Sequence, residues 1–499
     1  MKEINAKKVT PESQGICSKD VLDFLKTFDE YGLYTHSVLM AKGDNVITET
    51  YYKPFDKNTL LRQYSVSKSF VSMAVGLALT EKLLSLEDKI IDYFPEYINS
   101  NVDEFYRRCT IKDMLKMSSN IGTNVYWWGK FDTRTGAYYS QRSLKSPNSI
   151  FYYDSIGSFL LGNIIQKLTG KDFLQYLKEK VLLELGFSKE SYVLKEPGGY
   201  AVGDSAVMCT MRDLFVFARL IAKGGKVNGK QYIDKDYIKE ATTVQSKNDL
   251  YSDFRSFQTF GYGYLIWIIE NGFALFGAGD QLVFYNRQKD FTLVIQSDNQ
   301  GTSNPQHLLY HEFNKRIIPK ISDRAIPDNN GEYQQLIDYE NNAKLLVQYG
   351  SRYSKVIKQI NGLSYKSILD NQLNITEFKF DFYENGGKFT FIKDGKTNSI
   401  TFGFGHNELI KFSFGSRAKA DMMGVNVEGE YDCASSAGFI DENLLAIKVQ
   451  VIDTYAGKLQ ITAHFSKDEA NLFVQKHGQY VFDGIGGYVC AKAQKGENI

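Results

Sequence analysis

The 499 residues exceed what one hydrophobic core usually organises, and 43% hydrophobic residues are enough to fill two. Lys+Arg number 59 against Asp+Glu 58, so there is no basic excess to neutralise phosphates, which argues against nucleic acid as a partner. Cys17, Cys109, Cys209, Cys433 and Cys490 form an odd, scattered set without a C-x-x-C pair, and the charged start Met1-Lys2-Glu3-Ile4-Asn5 is followed by no apolar run of membrane-spanning length, so the expectation is a cytoplasmic chain without disulfides, zinc or a membrane partner.

Ser18 to Tyr31 has the pattern of a capped helix, and Ser37-Val38-Leu39-Met40 and Val46-Ile47-Thr48 read as strands joined by a Gly43-Asp44-Asn45 turn. A long apolar helix is expected from about Val66 to Leu84. Further helices are expected around 111 to 117, 156 to 168 and 211 to 223, the last opened by the capping-box pattern Thr210-x-x-Asp213. Strands return at Tyr262 to Ile269, Leu282 to Tyr285 and Phe291 to Gln296, followed by a helix from about Gln306 to Ile317. Strands, then helices, then strands and a last helix suit an antiparallel sheet covered by helices.

The texture changes after Pro319. The polar stretch through Ile326-Pro327-Asp328-Asn329-Asn330-Gly331 reads as a linker. Beyond about Asn371 the residues alternate, as in Phe378-Lys379-Phe380-Asp381-Phe382 and Ile447-Lys448-Val449-Gln450-Val451, with turns such as Asn385-Gly386-Gly387. Period-2 alternation predicts antiparallel strands with one buried face, hence an all-β barrel or sandwich. The expected organisation is a first domain over 1–320, a linker over 321–335 and a β-rich accessory domain over 336–499.

A serine hydroxyl needs a proton acceptor before it attacks a carbonyl, and a lysine three residues on along a helix puts its amine one turn from that hydroxyl. Ser65-Val66-Ser67-Lys68 has this spacing. The helix it opens is apolar on most faces (Phe70, Val71, Met73, Ala74, Val75, Leu77), which would partly desolvate Lys68 and favour the neutral amine. The same spacing recurs at Ser416-Arg417-Ala418-Lys419, where Gly415 and polar flanks suggest a surface turn. Spacing does not choose between a catalytic pair and a solvated helix start.

Context does. Tyr64-Ser65-Val66-Ser67-Lys68-Ser69-Phe70 resembles the first motif of the superfamily of class C β-lactamases, penicillin-binding proteins, esterases, D-aminopeptidases and 6-aminohexanoate-dimer hydrolases. Collinear with it, Thr110 to Leu115 with Ser118-Ser119 is similar to the helix after the nucleophile, and Phe151-Tyr152-Tyr153-Asp154-Ser155 resembles the second motif. Leu185-Gly186-Phe187 and Thr210 to Leu214 continue the series. The third motif is similar to Leu275-Phe276-Gly277-Ala278-Gly279-Asp280-Gln281, with Leu275 where a Lys or His commonly opens the triplet, or a register one residue away. The resemblance covers about residues 10 to 318.

It implies an α+β fold, an antiparallel sheet flanked by helices plus an all-helical subdomain, followed here by the all-β domain. It also implies Ser65 as nucleophile, Lys68 and Tyr153 as proton-transfer partners, and an oxyanion hole from the backbone amides of Ser65 and Ala278, next to Gly277. Ser155, Leu275, Gln281, Trp127 and Trp128 become candidate substrate contacts, the two tryptophans in a stretch the family uses as a loop over the site. Ser155 stands where class C β-lactamases carry Asn, and Leu275 removes a carboxylate-binding cation; both count against efficient β-lactam hydrolysis.

No G-x-S-x-G elbow is present, and the six histidines avoid all three motifs, so a Ser-His-Asp triad is not supported. His307-x-x-x-His311 lacks an H-E-x-x-H context and reads as a helix face rather than a metal site. The expected function is a cofactor-free serine hydrolase of esters or amides, acting on a small molecule or short peptide, with oligomeric state open. The alternatives are a D-amino-acid peptidase or weak β-lactamase, or a slow, penicillin-binding-like sensing protein.

Overall fold

In the computed structural model, residues 4, 6–100, 102–122, 133–196, 198–249, 257, 260–413, 430–478 and 485–494 are described. Val21, Leu22, Phe24, Leu25 and Phe28 recur at helical spacing, and the helix they form, Ser18–Glu30 (α1), buries all five. Two strands follow, Thr35–Lys42 (β1) and Asn45–Tyr51 (β2), turning at Gly43 with φ 57°. Four more come some 220 residues later in the chain: Trp267–Ile269 (β3), Gly272–Gly277 (β4), Gln281–Asn286 (β5) and Phe291–Ser297 (β6). All six pair antiparallel in the order β2-β1-β6-β5-β4-β3, so β1 lies against the last strand and the residues between form one long excursion.

Every residue of β5 and β6 is buried, as a sheet covered on both faces requires. Within the excursion, the apolar helix Ser67–Thr80 (α2) packs on Ser155–Thr169 (α3). α2 stops short of the expected Leu84 because Lys82 takes a φ of 60°. Met211–Ala222 (α4) begins with the expected capping box, Thr210 and Asp213 each bonding the other's backbone N–H, and lies on β1, β5 and β6. The strand expected over Tyr262 to Ile269 is reduced to its last three residues. Leu265 at φ 55° breaks it, and the Tyr264 amide donates to the Ala241 carbonyl instead of to a strand.

The chain divides into two compact units, with the first reaching Lys344 and the second beginning at Leu345. The boundary lies later than the linker read over 321–335, because Asn330–Asn342 is a helix of the first unit. The Asn329 side chain caps it, Leu336 is fully buried, Tyr339 bonds Asp29 at 2.9 Å, and Glu340 takes hydrogen bonds from Lys8 and Thr48. So few inward residues in a polar segment leave little periodic signal.

The second unit realises the alternating pattern as a barrel. Its strands are Ser364–Ser367 (β7), Ile375–Tyr383 (β8), Gly386–Lys393 (β9), Lys396–Phe404 (β10), Glu408–Phe412 (β11), Tyr431–Asp441 (β12), Leu444–Val451 (β13), Lys458–Ser466 (β14), Glu469–His477 (β15) and Gly487–Ala493 (β16). They run β10-β9-β8-β7-β16-β15-β14-β13-β12 with antiparallel neighbours, and a short parallel pairing of Gly403–Phe404 with Ser436–Ala437 closes a ring of nine. β11 attaches to β12 outside that ring. Closure is what separates barrel from sandwich, and it depends on a parallel contact between strands that are not chain neighbours.

Candidate active site

Leu61–Arg62 pairs with Val207–Cys209 and delivers the chain to Tyr64, a non-glycine residue at φ 44°. Such a left-handed position costs about 1–2 kcal/mol, and here it turns the strand sharply into a single helical turn, Tyr64–Val66, that leads into α2. Ser65 sits half-buried on this turn. Ser67 points the other way and anchors the turn by accepting the Val207 amide at 3.0 Å.

One turn into the helix, Lys68 is buried with 1% of its surface exposed. Its Nζ donates to Ser65 Oγ at 3.0 Å and to the Asp204 carbonyl at 2.8 Å. Burial pushes the ammonium down to about 8, helped by the Arg134 charge and opposed by Asp204 and Asp154. The amine is therefore available as a base close to neutral pH.

Behind Lys68 lies a buried ion pair. Arg134 Nη1 meets Asp204 Oδ1 at 2.7 Å with side-chain exposures of 2% and 1%, and the guanidinium lies over the Phe159 ring. Burial raises the Asp204 carboxyl, but the charge and hydrogen bond of Arg134 outweigh it and hold the group below its usual range. Glu196, near the same guanidinium, is pushed up to about 7 by burial.

Tyr153 comes from the segment before α3, whose N-cap is Asp154. Its side chain hydrogen-bonds Ser65, and Lys68 Nζ lies 5.2 Å from its ring centroid. The ring is stacked on Trp267 at 5.4 Å, with Tyr262 edge-on to both. Burial pushes the phenol well above its ordinary value, so at neutral pH Tyr153 holds its proton. Asp154, buried beside it, caps the Ile156 amide at 2.8 Å, and burial pushes it up to about 7.

The third segment is the hairpin between β4 and β5. Gly277 ends β4, and a Cβ there would meet the Gln63 carbonyl at 2.3 Å and the Ser65 amide nitrogen at 3.2 Å. Only glycine lets the hairpin come so close to the Ser65 backbone. Ala278, half-exposed, begins the turn, in which Gly279 and Asp280 have φ 77° and 67°. β3 pairs with β4 only as far as Ala274, so among the described residues Leu275 to Gly277 form a free strand edge on that side.

Ser65, Lys68, Tyr153 and Gly277 thus meet, although they come from three separate stretches of the chain. Leu275 and Gln281 are 0% and 2% exposed; Leu275 packs in the core, and Gln281 donates to the Ser297 carbonyl, bracing the hairpin from behind. Ser155 is buried as the first residue of α3. Trp127 and Trp128 fall outside the described residues, as does the second S-x-x-K pattern at Ser416 to Lys419. His307 packs against Phe257, and no group of acidic, histidine or cysteine residues among those described is arranged to hold a metal.

Asp204 and Arg134 escaped sequence reasoning because 70 positions separate them and neither sits in a motif. Asp154 carried a visible signal, an Asp immediately before a helix. Trp267, inside the strand expected over Tyr262 to Ile269, packs on Tyr153 itself.

The chain is 23% identical over 231 residues to the 6-aminohexanoate-dimer hydrolase of Paenarthrobacter ureafaciens, covering 43% of this chain and 58% of that protein. It is 23% identical over 309 residues to penicillin-binding protein 4* of Bacillus subtilis, covering 51% and 63%. The chain thus spans under two thirds of the length of each. A solved structure described as "Putative 6-aminohexanoate-dimer hydrolase from Bacillus anthracis" shares the fold with a TM-score of 0.52 at 17% identity, over 62% of this chain and 85% of that one. The Beta-lactamase family model matches residues 22–312, more than half of the sequence and all three segments of the site, and the chain belongs to that family.

Proposed function

We propose that this protein is a serine hydrolase that cleaves an ester or amide through an acyl-enzyme on Ser65. The observation that carries the proposal is the 3.0 Å contact between Ser65 Oγ and the Nζ of a lysine that burial has brought down to about 8. A neutral amine at that distance takes the hydroxyl proton as oxygen attacks the carbonyl. The tetrahedral oxyanion forms beside the Ser65 amide and the Gly277-Ala278 hairpin, where backbone N–H groups offset its charge. Tyr153, which keeps its proton at neutral pH, donates it to the leaving group, and the Lys68 ammonium restores it. Water then enters, gives its proton back through the same pair and releases the acyl group.

An ester or amide substrate is favoured over a β-lactam by two departures. Ser155 is buried at the position of the amide-binding Asn, and Leu275 offers no cation for a substrate carboxylate. The 6-aminohexanoate-dimer hydrolase relative supports an amide bond between short aliphatic groups. Five free thiols suit a reducing, cytoplasmic setting.

A fluorophosphonate probe tests the proposal. Wild type should be labelled, and Ser65→Ala should not be; equal labelling of both defeats the assignment. Turnover of nitrocefin at rates rivalling p-nitrophenyl esters would move the substrate class to β-lactams.

A further inference from the structure

Among the described residues, the lumen of the C-terminal barrel is not filled. A cavity of about 200 Å³ lies between Phe389, Phe391 and Ile400 on β9 and β10 and Leu459, Ile461 and Val474 on β14 and β15. All six side chains are buried. Around the ring, β9 and β15 are separated by the three strands β8, β7 and β16, and β10 and β14 by the two strands β12 and β13. The cavity therefore crosses the lumen from wall to wall. Barrel interiors of this size are ordinarily packed to crystal density, because lining atoms without partners forfeit their dispersion contacts.

The mouth has a different character, being lined by Lys393, Asp394, Lys396 and Asn398. Asp394 is committed to Lys393 at 2.6 Å and to Asn374 at 2.7 Å. Lys396 is exposed and makes no ion pair with any carboxylate among the described residues. An apolar lumen under one ammonium that no carboxylate of the described residues pairs with matches an amphiphile with a single negative head and a short hydrocarbon tail.

We propose that the barrel binds a medium-chain aliphatic carboxylate, its chain in the lumen and its head at Lys396. At about 30 Å³ per water-sized group the space takes roughly seven such groups, which suits a chain near the length of octanoate. The assignment is independent of the hydrolase reading, since every residue it uses lies in the second unit.

Calorimetric titration of the full chain with straight-chain carboxylates tests it. Binding should be one to one and tighten about fourfold per added methylene, levelling off at roughly eight carbons once the lumen is full. Ile461→Trp, or Val474→Phe if the first variant does not melt cooperatively, should weaken octanoate more than tenfold by occupying the lumen. Lys396→Glu should weaken octanoate about tenfold and leave octanol unchanged. The proposal is overturned if wild type shows no heat with millimolar octanoate. It is equally overturned if binding survives lumen filling, which would locate it elsewhere, or if Lys396→Glu changes octanoate and octanol alike.

Discussion

The main-chain carbonyl of Asp204 accepts a hydrogen bond at 2.8 Å from the same Lys68 amine that donates to Ser65 Oγ at 3.0 Å. One buried amine is thereby held between a fixed acceptor and the hydroxyl it is proposed to deprotonate. The pH dependence follows with a definite sign. Below about 8 the ammonium has no lone pair to offer, so kcat/KM should fall about tenfold per pH unit on the acid side and level off above that value. A p-nitrophenyl ester profile checks this; a plateau extending down to pH 5 would remove Lys68 as the base.

Asp154 supplies a second pH-linked expectation. Its folded carboxyl titrates near 7, above the unfolded value, so its contribution to stability is present at low pH and is lost as pH rises through 7. Asp154→Asn keeps a good helix cap and removes the need to ionise a buried group. Denaturant melts at pH 8 should show a gain of roughly 1–2 kcal/mol. Because Asp154 favours the charged form of Lys68, the acid limb of the rate profile should also move to lower pH.

Gly277→Ala places a methyl group 2.3 Å from the Gln63 carbonyl, a clash of backbone against side chain that no rotamer relieves. The hairpin must move away from the Ser65 amide. We expect kcat to drop by about 10²-fold, the scale of losing one oxyanion donor, with a smaller change in KM. Single-turnover acylation measures it directly.

Arg134 and Asp204 form a pair whose members are each almost fully enclosed. Removing one partner strands the other charge, so Arg134→Met should destabilise the first unit by about 3–5 kcal/mol. The double variant Arg134→Met/Asp204→Leu should recover part of that loss, because it leaves no charge behind. Thermal melts of the single and double variants decide whether the two residues act as a pair.

The stack of Trp267 on Tyr153 fixes the phenol's ring plane. Trp267→Phe keeps an aromatic core but shortens the platform, and should cost about 1 kcal/mol of stability. It should lower kcat more than it raises KM, since the misplaced group is the proposed proton donor.

Most of the architecture was legible because it is written in local patterns. The stripe of α1 and the Phe-x-Phe alternation of β8 and β9 place apolar side chains at the period of their own element, and the capping box of α4 marks where its helix begins. Asn330–Asn342 was not legible, since a polar helix held by Leu336 and the side-chain bonds of Tyr339 and Glu340 has no period to read. The shortening of the expected strand to Trp267–Ile269 was not legible either. A left-handed Leu265 reflects tertiary packing rather than local preference.

The sequence by itself determined the order of three chemistry-bearing segments and the residue types in each, because a hydroxyl and an amine three positions apart on a helix must be neighbours. Tertiary structure decided what those groups are. The Lys68 ammonium is brought down to about 8 because folding buries it beside the Arg134 charge, against the opposing pull of Asp204 and Asp154, and Tyr153 keeps its proton because it is buried among aromatic rings. Proton affinity depends on the dielectric and charges surrounding a group, and only folding assembles those surroundings.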